Sequence, residues 1–364
     1  VKSNKISRRK FIFTAASASA ATGLFGFNLM PRLNKAPISG REIVSIVRIR
    51  NGNIPAAVEE AIDLIGGINS VTSGRKRIML KPNLVADDPS CTTKPEVIKA
   101  LAEIMISSGK KVMIGEGSAA AASFNVIGDE ICRTKKREIL DNMQQHVFDV
   151  LGYTKLAGTL NVPLINLHSG EIVEVPLEKG YAANSLKIHR TLTEADLVCS
   201  VPMMKTHTLA TVTLSMKNFI GLYPGTEYYS VRSWLHDRAS EAGSQGVAYE
   251  VIDMNRVVKT GLSVIDASVA MEGNGPSGGP LVEMGLIIAG TSPLATDMVG
   301  ATLMGFEMNE IPAIVLAQKS GMMPLSLKDV DIRGLEIDKC KRKFVRPQIY
   351  NWSDINKFWG YKEI

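Results

Sequence analysis

Residues 77–118 read RIMLKPNLVADDPSCTTKPEVIKALAEIMISSGKKVMIGEGS. The run at 77–85 is short, continuous and apolar, and it breaks at Pro82-Asn83. That predicts a strand running into a loop. A helix is predicted over roughly 95–107, with proline at its start and Gly109 at its end. KVMIGE then returns as a strand. Strand, helix and strand in this order predict a parallel unit. Uninterrupted apolar strands suit a sheet covered on both faces. The expected fold class is therefore α/β: a mixed, mostly parallel sheet with helices on both faces, elaborated into two lobes.

The same alternation extends both ways. Residues 43–49 (IVSIVRI) predict a first strand and 55–68 a helix closed by Gly66-Gly67. Residues 162–177 predict a hairpin turning at Ser169-Gly170. A strand over LVCSVP leads to Lys205 and His207, and LSVIDA (262–267) and GLIIAG (285–290) are further strands. Residues 226–250 are polar and aromatic, which suggests a lid-like excursion or surface helices. The tail after 340 carries Phe344, Trp352, Phe358 and Trp359 and is expected to pack on the domain.

Ligands of open α/β sheets bind beyond the carboxyl ends of the strands. Lys81 and Asn83 stand at one such end, where an ammonium and an amide would meet an anion. Glu116, between glycines in GEGS, stands at a second. Lys205 and His207 follow a third and share one face by strand alternation. Lys217 and Asn218 would form a second polar wall, and Gly221 and Gly225 a loop whose amides face an anion. Asp266, Glu272 and Asp297 fall near later strand ends. With His207 and Glu116 they offer oxygen and nitrogen donors suited to Mg²⁺, Mn²⁺ or Fe²⁺. Each residue also has a plain structural reading: a solvated lysine, a turn asparagine, a histidine hydrogen-bonded in the core, a helix-capping aspartate. The stretch 273–278 matches G-x-G-x-x-G only nominally, because Pro276 at its centre suits a turn.

Charge narrows the partners. The chain of 364 residues has a formal net charge of +6. The first 35 residues hold seven of the lysines and arginines and no acid, leaving 35 basic against 36 acidic residues. The remainder gives no general reason to bind nucleic acid. Residues 1–35 combine a basic head, SRRKFI, with a mildly apolar Ala/Ser/Gly run. This is the plan of an export leader, close to a twin-arginine signal read by that export machinery. A periplasmic or otherwise exported protein follows, with no stable membrane span in the mature form. Retention of the segment as an uncleaved anchor is the other reading. Domain boundaries are then a signal segment at 1–35, an α/β domain or two interlocked lobes at 36–340, and a tail at 341–364. Cys91, Cys132, Cys199 and Cys340 are scattered without a CxxC, so no iron–sulfur cluster is expected.

Lys81-Pro82-Asn83, Lys205-Thr206-His207, Lys217-Asn218 with Gly221, Asp266 followed by MEGNGPSGG, and Thr296-Asp297 together resemble the family called domain of unknown function 362. The resemblance spans roughly residues 43–323. It implies a prokaryotic protein and a set of positions to watch, but no substrate. Some members carry a ferredoxin-like segment with clustered cysteines, which this chain lacks.

The residues as read assign His207, Lys205 and Lys217 to catalysis. Lys81, Asn83, Asn218, Gly221 and Gly275 would hold a ligand or cofactor, and Asp266, Asp297, Glu272 and Glu116 a divalent metal. Two functions fit: a metal-assisted enzyme acting on a small anion, by redox chemistry or isomerisation, or a non-catalytic periplasmic protein that holds a ligand or cofactor.

Overall fold

The computed structural model describes residues 41–127, 130–353 and 362–364. The segment at 77–118 folds as its pattern predicts. Strand β2 (Arg77–Pro82) and strand β3 (Lys111–Glu116) run parallel, with Ile78 opposite Val112 and Leu80 opposite Ile114. Helix α2 (Pro95–Ser107) joins them. It forms because proline suits its first turn and Val97, Ile98, Leu101 and Met105 recur on one buried face. Gly109, at φ +75°, then takes the left-handed turn that ends it.

The sheet has eight further strands: β1 (Glu42–Arg48), β4 (Leu164–Asn166), β5 (Leu197–Val201), β6 (Met203–His207), β7 (Thr211–Thr213), β8 (Ser263–Met271), β9 (Leu281–Gly290) and β10 (Val330–Gly334). The spatial order is β10-β1-β9-β8-β5-β2-β3-β4, with β6 beside β8 and β7 beside β6. Six of its nine pairings are parallel; β9 runs antiparallel to both β1 and β8, and β7 to β6. The sheet is therefore mixed and mostly parallel.

Strand alternation divides the core in two. Ile78, Leu80, Val112, Ile114 and Cys199 pack with helix α1 (Ile54–Leu64), α2 and helix α3 (Arg137–Val150). Met79 and Val198 point the other way, towards helix α4 (Ala248–Val257) and helix α5 (Pro293–Leu303). Helices thus cover both faces.

One expectation changes. Residues 162–177 are not one hairpin: β4 joins the main sheet beside β3, and Ile172–Pro176 pairs instead with Ser185–His189. Three residues of β4 match the edge of β3, which draws them away from their sequence neighbours. Of the two alternatives for residues 226–250, the helices are found, notably Ser233–Glu241. The described residues all belong to one compact unit, Pro37–Ile364, and no division into two lobes is seen among them.

The leader expected at 1–35 lies outside the described residues, as do Phe358 and Trp359. Phe344 and Trp352 are buried, at 2% and 4% exposure, so the described part of the tail packs on the domain. It runs along the glycine loop, with Gly273 N–H donating to Val345 O at 3.0 Å and Tyr350 N–H to Thr208 O at 3.0 Å. No helix among the described residues is long and apolar enough to cross a membrane.

Candidate functional site

A cavity of about 630 Å³ opens where β2, β3 and β6 end. Lys81, Asn83, Glu116, His207, Lys217, Asn218, Gly221 and Gly275 all line it. Residues separated by up to 194 positions in the chain are thus brought to one place. Its walls are otherwise largely apolar, including Val85, Leu209, Ile220, Val247 and Trp352. Apolar walls with a few convergent polar groups are the usual make-up of a small-molecule site, and the size suits one.

One wall is a closed polar network. Lys81 Nζ donates to Glu116 Oε2 at 2.7 Å, to Asn218 Oδ1 at 2.9 Å and to Pro82 O at 2.8 Å. Those three bonds use all its protons. Glu116 also accepts from Leu84 N–H and Gly117 N–H, both at 2.8 Å. Asn218 Nδ2 donates to Lys81 O at 2.9 Å and Ser200 Oγ at 3.1 Å. Asn83 Nδ2 reaches Asn218 Oδ1 at 3.2 Å, leaving Asn83 Oδ1 buried without a partner among the described residues. Burial pushes Lys81 down to about 8, against the pull of Glu116. Gly221 is required beside this knot: a methyl group there would strike Glu116 Oε1 and Lys81 Nζ.

The opposite wall is open. Lys217 is half-buried and makes no ion pair or hydrogen bond through Nζ with any described residue. Burial lowers it to about 7, reinforced by the charge of Lys205. His207 Nδ1 accepts the Leu209 N–H at 3.0 Å, so the neutral ring carries its proton on Nε2. Burial, with Lys217, Lys205 and His236 adding to it, holds His207 well below the ordinary histidine range. It is therefore a neutral donor. His236 has the reverse arrangement. Its Nδ1 lies 2.6 Å from the buried Glu250 Oε1, so in the neutral ring the proton sits on Nδ1 and Nε2 is the acceptor.

Arg232 also borders the cavity, but its guanidinium is occupied by main-chain carbonyls: Ser118 at 3.2 Å, Tyr223 at 3.2 Å, and those of Gly117, Gly221 and Ser230. It ties the loops after β3 to those after β7. Burial lowers it to about 10, still charged at neutral pH. It feels the charge of Glu116 but makes no ion pair among the described residues, so it adds to a positive potential in the cavity.

Other predicted site residues lie elsewhere. Lys205 is fully buried and donates to Cys91 O at 2.6 Å; burial lowers it to about 8. Thr206 Oγ1 donates to Gly273 O at 2.7 Å and so fixes the glycine loop beside Gly275. Asp297 accepts the Ser215 N–H at 2.6 Å and the Met216 N–H at 2.9 Å. It caps the single turn Ser215–Asn218 that presents Lys217 and Asn218. Asp266 accepts from Lys94 N–H at 3.0 Å and Ser268 Oγ at 2.6 Å, and Glu272 from Val345 N–H at 2.9 Å. The structure therefore does not bring Asp266, Asp297, Glu272 and Glu116 together. Among the described residues no group of three or more His, Cys, Asp and Glu side chains is placed to hold a metal ion.

Fold and site define an α/β protein with a cavity at the carboxyl ends of its strands. A family model described as "Domain of unknown function (DUF362)" matches residues 78–302, and the chain belongs to that family. It is 25% identical over 287 residues to a thylakoid-associated protein of Synechocystis sp., covering 77% of this chain and 80% of that one. A crystal structure of a Thermotoga maritima protein is 14% identical with a TM-score of 0.37, covering 74% of this chain. The chain spans 59% of that protein's length.

Proposed function

We propose that the cavity binds a small organic anion with an apolar body. The observation that carries this reading is Lys217, an ammonium on the cavity wall with no carboxylate partner among the described residues. Arg232 adds charge behind it, and His207 Nε2–H offers a neutral donor. An anionic ligand completes what this wall lacks, and the apolar walls receive the rest of the molecule. The metal-assisted form of the reading has less support, because the four acids are each engaged at separate places.

Phenylpyruvate and its methyl ester separate charge from shape. Calorimetric titration of the full chain at pH 6 is expected to show the acid binding at least tenfold more tightly than the ester. Equal affinity would refute the anion reading. Export through a twin-arginine leader is a separate proposal resting on residues 1–35. It is tested by fractionation after Arg8→Lys/Arg9→Lys replacement, which should trap the protein inside the cell.

A further inference from the structure

The geometry points to His236, positioned by Glu250, as the base that moves a proton on the carbon next to the carbonyl of the bound anion. This rests on the anion reading of the cavity. Sequence spacing gives no sign of the pair, because the two residues come from separate helices, Ser233–Glu241 and α4.

Four observations meet here. His236 lines the cavity, and its Nε2 has no partner among the described residues. Its Nδ1 is held by a carboxylate that is 0% exposed. Such a partner fixes the tautomer and stabilises the imidazolium that forms when Nε2 takes a proton. The ring is held in place by Trp352, whose ring meets it edge-on at 4.7 Å between centroids. Trp352 in turn donates through Nε1 to Asp237 Oδ1 at 2.6 Å. Finally, the same cavity carries Lys217 and the His207 Nε2–H, both donors. A base and two donors around one small site match the needs of enolisation, where negative charge develops on oxygen.

The step balances without a further reactant. His236 Nε2 takes the proton from the carbon next to the carbonyl. The C–H electron pair becomes a C=C bond, and the C=O pair moves onto oxygen. Lys217 and His207 Nε2–H face that oxygen. Return of the proton, to carbon or oxygen, restores His236 and yields an isomer or the original compound. Glu250 touches no ligand and acts as a positioning residue.

The test follows deuterium entry at C3 of phenylpyruvate in D₂O by proton NMR, with binding measured in parallel on the full chain. Wild type should exchange above the buffer rate. His236→Gln should lower the enzymatic rate by about 10²-fold or more, the usual range for a general base, with affinity within threefold. Glu250→Gln should lower the rate about tenfold and shift its pH profile. The unchanged affinity of the variants shows that they fold. Binding without exchange in wild type, or full exchange in His236→Gln, would overturn the inference and leave the anion reading standing. Absence of phenylpyruvate binding would overturn both.

Discussion

Two walls of one cavity use the same residue types in opposite ways. On the Lys81 wall every proton of the ammonium is spent within the protein, on Glu116, Asn218 and Pro82. On the Lys217 wall the ammonium has no such partner among the described residues, and two histidines that line the cavity each keep Nε2 without a described partner. The first wall is a structural joint that ties β2, β3 and the Ser215–Asn218 turn together. The second is a surface left incomplete. A lysine in a motif is therefore informative only once its partners are known.

The contrast breaks most sharply under substitution. Glu116→Ala leaves the Lys81 charge buried and unpaired, and should cost about 3–5 kcal/mol of stability, as single removals from buried pairs do. Denaturant unfolding checks it, and a loss under 1 kcal/mol would mean that the knot is not a joint. Lys217→Met should act the other way. Anion affinity should fall by about 10–100-fold, the loss of one charge-assisted contact, while folding stability at pH 6 rises by about 1 kcal/mol because a desolvated unpaired charge is gone. The sign follows from the lowered value of about 7. A cation held below its unfolded value destabilises the fold while charged, and that cost fades as pH rises past 7.

The same group sets the pH dependence of binding. Burial lowers Lys217 most, Lys205, Lys81 and Arg232 add to it, and Glu250 opposes them. Only the protonated form attracts an anion, so affinity should be level below pH 7 and fall by about tenfold per unit above it. A flat profile from pH 6 to 9 would remove Lys217 from the binding account. Asp297→Ala should give a milder result, about 1–3 kcal/mol, by leaving the Ser215 and Met216 N–H groups without their acceptor. Ligand affinity should fall with it, because that turn carries Lys217. The smallest effect belongs to Lys99→Ala: its exposed pair with Glu103, four residues on, should be worth about 0.5 kcal/mol or less.

The sequence made the strands and the cavity rim legible for one physical reason. Apolar runs that stop at a polar residue mark strand ends, and in this sheet strand ends converge. Lys81, Glu116 and His207 were visible in that way. Periodicity does not reveal which polar group finds a partner. Asp266 lies within β8 and Asp297 within helix α5, so neither marks a strand end, and both bond to main-chain N–H groups outside the cavity. Glu272, read as a metal donor, accepts the Val345 N–H and anchors the tail. His236 was readable as part of a polar segment over the site, but Glu250 and the bond between them depend on how two helices pack. Arg232 gave less signal still, since its partners are carbonyls and any residue type supplies those. The hairpin misread at 162–177 has a similar origin: the turn signal at Ser169-Gly170 was real, but the partner of β4 came from β3.

The central claim is that an unpaired Lys217 makes this cavity an anion site. Calorimetric titration of phenylpyruvate into the full-length wild-type chain and its Lys217→Met variant at pH 6 tests it most directly. The account predicts a clear isotherm for wild type and an affinity at least tenfold weaker for the variant, which remains folded. Equal affinity in the two proteins would contradict it.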